Sequence, residues 1–288
     1  MATSASWARL RYDVLLRAAS RSRLLGQVYA ELVSAVEYRA DPERRRVASA
    51  RAARWLGGTS SDGGRVFQRS LASEALEEAD SAFFMRTGGT PDAGFRVAGR
   101  EPPEGGGVVY ATLHFGSPIL AYIYLRCVRG IDLTIIGRRL DDDNPMPAPK
   151  RRFGMRKVAW LEEVTGRPLL GVDGRAIARA RGELLDGRSL YAAVDVPGNV
   201  AARAETVTIL GESLRLSSGI FGLVTLTGAP LQPVVAIHEA GSIVLHYGDR
   251  IEGRRGAPVH EAGARAIGDL VRRFPSQWWL WPYVTPAG

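Results

Sequence analysis

Residues 108–137 read VVYATLHFGSPILAYIYLRCVRGIDLTIIG. The segments VVYATL (108–113) and IDLTIIG (131–137) are short apolar runs rich in β-branched residues, which is typical of buried strands. Between them lies SPILAYIYLRCVRG (117–130), a longer apolar segment that opens with Ser-Pro and predicts a helix. A strand, a crossover helix and a second strand predict a parallel pair of strands with the helix packed on the sheet.

The same alternation continues to the end of the chain. Further strands are predicted at 167–173, 189–195, 231–238 and 242–251, the last two as a pair, and further helices at 151–166, 175–187, 217–230 and 259–274. Strands that alternate with helices indicate crossover units. We therefore predict an α/β fold with a mainly parallel central sheet flanked by helices.

The first 58 residues predict helices in front of this core. Apolar residues recur there at helical spacing: Leu25, Val28, Leu32 and Val36. Asp41 followed by Pro42 is typical of a helix start. Residues 56–64 resemble a loop, a further helix is predicted from about Arg65 to Met85, and the turn-rich segment 87–107 follows. The chain is thus expected to form one domain, 1–288, with a helical N-terminal layer (1–90) and an α/β core (105–288).

Composition limits the possible classes of protein. The chain has 288 residues, of which 45% are hydrophobic and 24% charged, as in ordinary globular proteins. No apolar run approaches the length of a membrane span, and the N-terminus has no signal-peptide pattern. A single cysteine, Cys127, favours a reducing cytoplasm and excludes a disulfide framework, and its apolar helix predicts that it is buried.

The formal charge of +8 is concentrated near the N-terminus, where residues 1–58 hold eleven arginines and five acidic residues. Such a surface fits an anionic membrane, an acidic carrier protein or nucleic acid. It is equally compatible with a merely solvated helix face.

Several polar residues follow predicted strands. His114 comes at the end of the first, Arg138 and Arg139 follow the second, and Asp195 ends the fourth. Sites in open parallel sheets gather beyond the carboxyl ends of the strands, so these side chains should converge. A histidine whose pKa is near neutrality is suited to act as a general base there. The other histidines, His238, His246 and His260, are interpreted as structural or surface residues.

The ordered set of segments resembles a known family. Residues 108–145, SLYAAVDVPG (189–198), LRLSSGIFGLVTLTGAPLQPVVAI (214–237) and FPSQWWLWPYV (274–284) resemble the lipid A late acyltransferases, the lauroyl and myristoyl transferases of the lysophospholipid acyltransferase superfamily. The likeness extends over about residues 5 to 285. The three tryptophans of the closing segment, Trp278, Trp279 and Trp281, are expected to line an acyl pocket, brace the sheet or meet a membrane interface.

The resemblance implies transfer of an acyl group from an acyl carrier protein or coenzyme A thioester to a hydroxyl or amine. His114 would deprotonate the acceptor, without an acyl-enzyme, a bound cofactor or a metal. Asp195 is the second candidate catalytic residue, because its strand should lie close to His114; alternatively, it only caps or hydrogen-bonds backbone amides. Residues expected to contact substrates are Gly116, Ser117, Arg138, Arg139, Asn144, Ser218 and Gly219. Arginines at this position suit a phosphate of the donor or acceptor.

The same resemblance implies an acyl or peptidyl carrier protein as partner, an anionic membrane surface as a further one, and no nucleic acid. The family usually carries an N-terminal membrane anchor, whereas this N-terminal region is short and rich in arginine. We therefore expect a cytoplasmic protein, either free or peripheral on the inner face of the membrane, and a pathway other than lipid A synthesis.

One position departs from the family pattern. The superfamily motif places an acidic residue five positions after the histidine, and Ile119 occupies that position here. Either another group, such as Asp195 or more weakly Ser117, orients the imidazole, or the site is slow or only binds. The missing acid also suggests an amine acceptor, which needs less help from a base. A third hypothesis is a metal-dependent glycosyltransferase that uses Asp141 and Asp143.

Overall fold

The computed structural model describes residues 5–88, 94–99, 101–102, 105–138, 146–173, 175–197, 203–239 and 241–283. The helices are α1 (Ala5–Arg9), α2 (Leu16–Ala19), α3 (Arg23–Ala40), α4 (Pro42–Leu56), α5 (Ser60–Thr87), α6 (Pro118–Ile123), α7 (Ala148–Thr165), α8 (Ala176–Leu185), α9 (Gly219–Thr227) and α10 (His260–Arg273), with π-helical turns at Leu10–Leu15 and Tyr124–Val128 and a 3₁₀ turn at Pro275–Gln277. The strands are β1 (Phe95–Ala98), β2 (Val109–Thr112), β3 (Leu133–Gly137), β4 (Leu170–Gly171), β5 (Ser189–Ala193), β6 (Ala204–Ile209), β7 (Glu212–Ser217), β8 (Leu231–Glu239) and β9 (Ser242–Tyr247).

Seven strands form one sheet in the order β1-β9-β8-β2-β5-β3-β4, and β6 and β7 form a separate hairpin. The strands from β8 to β4 run parallel to one another, and β9 is antiparallel to β8 and carries β1 parallel to itself. The predicted α/β class and mainly parallel sheet are confirmed. The strand β2 lies at the centre, between β8 and β5.

Both faces of the sheet are covered. Val109 and Ala111 of β2 belong to a core cluster that includes residues of α4, α5, α9 and α10. Tyr110, between them, belongs to a second cluster formed with α6 and part of α7. This two-sided burial explains why the segment is apolar throughout instead of alternating with polar residues.

In the N-terminal layer, the predicted start of α4 is confirmed, but the predicted buried face of α3 is wrong. Asp41 caps α4 and its carboxylate accepts the backbone N–H of Arg44 at 3.0 Å. The apolar stripe predicted on α3, however, faces outward: Leu25, Val28 and Leu32 are all exposed, Val28 by 57%. The buried face of α3 contains Gly26 and Tyr29 instead.

Two contacts explain which face of α3 is buried. A Cβ on Gly26 would lie 3.3 Å from the Cβ of Ala79 on α5, so the two helices approach closely there. The hydroxyl of Tyr29 donates a hydrogen bond at 3.0 Å to Glu78, a buried carboxylate of α5 that also accepts from Arg11. Close packing and a buried acid therefore select small and hydrogen-bonding residues over larger aliphatic ones.

The helix α5 begins at Ser60, so the loop predicted over 56–64 is wrong in its second half. Thr59 and Asp62 form a reciprocal capping box. A Cβ on Gly63 would lie 2.0 Å from the backbone oxygen of Ser49, so this glycine permits the close packing of α4 on α5. Glycine was interpreted as a turn signal here, whereas its function is contact between helices.

Other expectations also change. The strands β1, β6 and β7 were not predicted, because β1 is short and lies in a turn-rich segment, and β6 and β7 carry polar and charged residues between their apolar ones. Cys127, predicted to be buried, is exposed, because it lies on the final π-helical turn after α6. Of the described helices, none combines the length and apolar character that crossing a bilayer requires.

Candidate functional site

His114 and Asp195 come together because of the register of two neighbouring strands. In the parallel pair of β2 and β5, Thr112 lies opposite Ala193. Both strands end at this pair, and the chain runs two residues further from each, which places His114 and Asp195 at the same height beyond the carboxyl edge of the sheet. The predicted convergence of these two residues is confirmed.

The carboxylate of Asp195 is fully buried and has three donors around it. Its Oδ1 atom lies 2.8 Å from Nδ1 of the His114 ring. Its Oδ2 atom accepts the backbone N–H of His114 at 2.9 Å and the indole N–H of Trp278 at 2.9 Å. Because an ionised carboxylate only accepts hydrogen bonds, the proton of a neutral His114 ring resides on Nδ1.

The His114 side chain is 39% exposed, and its Nε2 atom has no hydrogen bond from any described residue. Burial of the ring by its surroundings lowers the pKa of His114, but the charge and hydrogen bond of Asp195, together with the charge of Glu74, raise it by more. The pKa of His114 therefore lies above its ordinary value of 6.5. The result is a basic nitrogen that is open on one side and held in orientation on the other.

The C-terminal segment closes over this pair. The backbone N–H of Trp279 donates to the carbonyl of His114 at 2.9 Å, and the N–H of Gly116 donates to the carbonyl of Gln277 at 3.0 Å. The ring of Trp279 lies 6.3 Å from the His114 ring, in an edge-on arrangement. Residues 277–279 thus act as a short antiparallel partner for residues 114–116.

The three tryptophans of this segment have different environments. Trp278 and Trp281 are fully buried and pack on each other and on Trp55, with ring centroids 4.9 to 5.9 Å apart. Trp279 is only partly buried and lies beside the reactive ring. Of the roles predicted for this cluster, bracing of the sheet fits Trp278 and Trp281.

Charged residues of α5 and α7 surround the pair. Lys150 lies 3.2 Å from Glu74, and Lys157 lies 3.1 Å from the buried Glu77. Burial raises the pKa of Glu74, but the charges of Lys150 and other basic groups lower it to about 2. The negative charge of Glu74 raises the pKa of His114, and the positive charge of Lys157 lowers it.

The remaining predicted substrate residues have varied positions. Gly116 and Ser117 are buried, and the N–H of Gly116 is already used by Gln277. A Cβ at Gly116, whose φ is +56°, would lie 2.2 Å from the backbone oxygen of Ala236, so only glycine fits there. Arg138 is exposed at the end of β3, separated from β2 by β5.

Ser218 and Gly219 are found at the start of α9. They follow Ser217, whose N–H donates to the carbonyl of Val196 at 2.8 Å, next to Asp195. The structure thus brings this helix start near the end of β5. Arg139 and Asn144 lie outside the described residues, as do Asp141 and Asp143.

The other histidines also pair with carboxylates, and His238 does so near the carboxyl end of β8, the strand parallel to β2. His238 lies 2.6 Å from Asp80, and His246, which is buried, lies 2.8 Å from Glu239. His260 lies 2.9 Å from Glu205. Ile119 packs against the apolar cluster formed with α6.

Sequence reasoning did not find the roles of Trp278, Glu74 or Lys157 at this site. A signal for the acids existed in residues 74–80, EALEEAD, because four carboxylates crowd a helix that the fold must bury. The indole contact had no local signal, since Trp278 and Asp195 are 83 residues apart. No protein-family model matches this sequence, and no curated protein matches it.

Proposed function

We propose that the protein is an acyltransferase that moves an acyl group from a carrier-protein or coenzyme A thioester to a hydroxyl or amine. One observation carries the proposal: Asp195 holds Nδ1 of His114, while Nε2 has no partner among the described residues and belongs to a side chain that is 39% exposed. This is the arrangement that a general base requires.

In the proposed reaction, Nε2 of His114 takes the proton of the acceptor as its oxygen or nitrogen attacks the thioester carbonyl carbon. Asp195 stabilises the imidazolium that forms. The tetrahedral intermediate then collapses, the carbon–sulfur bond breaks, and the leaving thiolate receives the proton from His114. The proton taken from the acceptor thus leaves with the thiol, and the reaction needs no acyl-enzyme intermediate.

Asp195 supplies the acid that Ile119 does not. In the superfamily the orienting acid comes from the helix after the histidine, whereas here a carboxylate of β5 contacts the imidazole directly. A slow or binding-only site was expected if no acid orients the imidazole, and in this proposal Asp195 performs that function. The same contact removes the reason to prefer an amine over a hydroxyl.

We further propose that the fold is of the lysophospholipid acyltransferase type. The order of segments supports this: a histidine after β2, an aspartate after β5, a Ser-Gly helix start at α9 and a closing tryptophan segment. The thioester donor would be an acyl or peptidyl carrier protein or coenzyme A, and the reaction would take place in the cytoplasm or on the inner face of the membrane. Of the two arginines expected to bind a phosphate, Arg138 lies within the described residues, and we propose that it binds a phosphate of the donor.

The test is incubation of the purified protein with acyl carrier and coenzyme A thioesters and a panel of hydroxyl and amine acceptors. Mass spectrometry detects the acylated products. We expect products with the native protein and with a His238→Ala variant, and none with His114→Ala. His238 is the matched control because it also pairs with a carboxylate. Equal turnover by His114→Ala and native protein would exclude His114 as the base.

A further inference from the structure

A groove of about 850 Å³ lies between the N-terminal helices, the end of α5 and α7. Its lining contains none of the residues His114, Asp195 and Trp279. Ala82, its first residue on α5, lies about 12 Å along the helix from Glu74, the carboxylate that acts on His114. The groove is therefore separate from the candidate acyltransferase site.

The interior of the groove is apolar and aromatic. Its lining includes Leu16, Met85 and Trp160, together with Tyr12 and Phe153, whose ring centroids are 5.9 Å apart. The volume falls within the range of about 300–1,000 Å³ that is usual for small-molecule sites. Volume and lining thus suit an alkyl or acyl chain.

The rim of the groove is basic. Four arginines line it, Arg17, Arg86, Arg152 and Arg156, against the two acids Asp13 and Glu163. Arg152 pairs with Asp13 at 3.1 Å, and Arg86 donates to the carbonyl of Ser20 at 2.8 Å. Within the described part of the chain, Arg17 and Arg156 have no carboxylate partner, and both are exposed. They leave two guanidinium groups free to bind an oxyanion.

Trp160 forms part of the groove wall, with 8% of the residue exposed. Its indole nitrogen is buried out of reach of the groove and has no hydrogen-bond partner among the described residues. The ring therefore adds aromatic surface to the groove and is not a donor for the ligand.

We propose that this groove binds a single-chain anionic amphiphile, with the chain on the aromatic floor and the oxyanion held by Arg17 and Arg156. This inference does not depend on the proposed acyl transfer.

Isothermal titration with dodecyl phosphate, below its micelle concentration, tests the proposal. We expect binding of one molecule per chain, weak or no binding of inorganic phosphate, and weaker binding of the uncharged dodecyl maltoside. The Arg17→Gln/Arg156→Gln double variant should weaken dodecyl phosphate at least tenfold and change dodecyl maltoside little. Ala82→Phe, which fills the groove, should weaken both.

Two controls make the result specific. The Arg181→Gln/Arg265→Gln variant removes two exposed arginines elsewhere and should bind as the native protein does, with thermal unfolding used to confirm that each variant is folded. His114→Ala should also retain full binding. Absence of binding, equal weakening by both arginine pairs, or loss of binding in His114→Ala would overturn the proposal.

Discussion

Replacement of Asp195 by asparagine tests the candidate site most directly. The Oδ2 position accepts two N–H donors, the backbone of His114 and the indole of Trp278. The asparagine oxygen must therefore occupy that position, because an amide NH₂ there would face two other donors. The NH₂ group then faces Nδ1 of His114 at the present 2.8 Å.

An amide donor beside Nδ1 reverses the tautomer of the ring. Nδ1 becomes the acceptor and the proton moves to Nε2, so the nitrogen that faces the acceptor can no longer take a proton. The equivalent substitution in serine proteases lowers turnover by about 10⁴. We expect a loss of similar size in kcat/KM, with little change in binding of the thioester.

Two measurements check this reasoning. Acyl transfer is followed by release of free thiol, and ¹⁵N NMR of labelled histidine reports which ring nitrogen of His114 carries the proton. Asp80→Asn is the matched control, because it removes the carboxylate partner of His238 and should leave transfer nearly unchanged. An Asp195→Asn protein that keeps its transfer rate within tenfold, or whose His114 keeps the proton on Nδ1, would refute the orienting role of Asp195.

The remaining predictions concern pH, the indole and the tight turn. Because the pKa of His114 lies above 6.5 and the neutral ring is the base, kcat/KM should rise with pH through a value above 6.5. The contribution of the protonated His114 ring and Asp195 to the free energy of unfolding has the opposite pH dependence. It is complete below the pKa of His114 in the unfolded chain and is lost as pH rises through the pKa of His114 in the folded protein. Denaturant titrations at several pH values measure this change. Trp278→Phe removes one hydrogen bond to the Asp195 carboxylate, and a bond to a charged group is worth about 1.5–3 kcal/mol. We therefore expect kcat/KM to fall at least tenfold and its pH profile to shift. Trp281→Phe is the control and should leave the pH profile in place, because the Trp281 indole donates to the carbonyl of Pro275 instead. Gly116→Ala should lower the melting temperature strongly, since its Cβ would lie 2.2 Å from a backbone oxygen, while Gly222→Ala, with open space around it in α9, should be neutral or stabilising by up to about 1 kcal/mol.

The sheet could be predicted from the sequence because its strands are buried on both faces. Continuous apolar runs at 108–113 and 189–195 signal such strands, and the helices between them imply parallel order. The hairpin of β6 and β7 could not be predicted in this way, because it is buried on one face only: Val207, Ile209, Leu214 and Leu216 are buried and alternate with polar residues, so no continuous apolar run marks either strand.

The outward face of α3 was mistaken for its buried face for a related reason. The spacing of apolar residues distinguishes the two faces of a helix, but it does not show which face packs against the rest of the protein. The buried carboxylate of Glu78 and the close contact at Ala79 belong to another helix, and they favour Tyr29 and Gly26 over Val28.

The candidate site could be predicted only in part. The pairing of His114 with Asp195 follows from strand ends and parallel order, both readable from the sequence. Which strands are neighbours in the sheet could not be predicted, because β5 lies between β2 and β3 although it follows both along the chain. Arg138 is therefore one strand further from His114 than chain order suggests.

The contact between Trp278 and Asp195 has a consequence during synthesis of the protein. The indole donor to this carboxylate lies 83 residues after the acid, and the segment around it also pairs with the backbone of residues 114–116. A nascent chain that still lacks residues 277–279 on the ribosome holds an incompletely paired carboxylate and an unbraced histidine. The reactive centre can thus assemble only after Trp279 has been synthesised, and no fragment that ends before this residue would carry it.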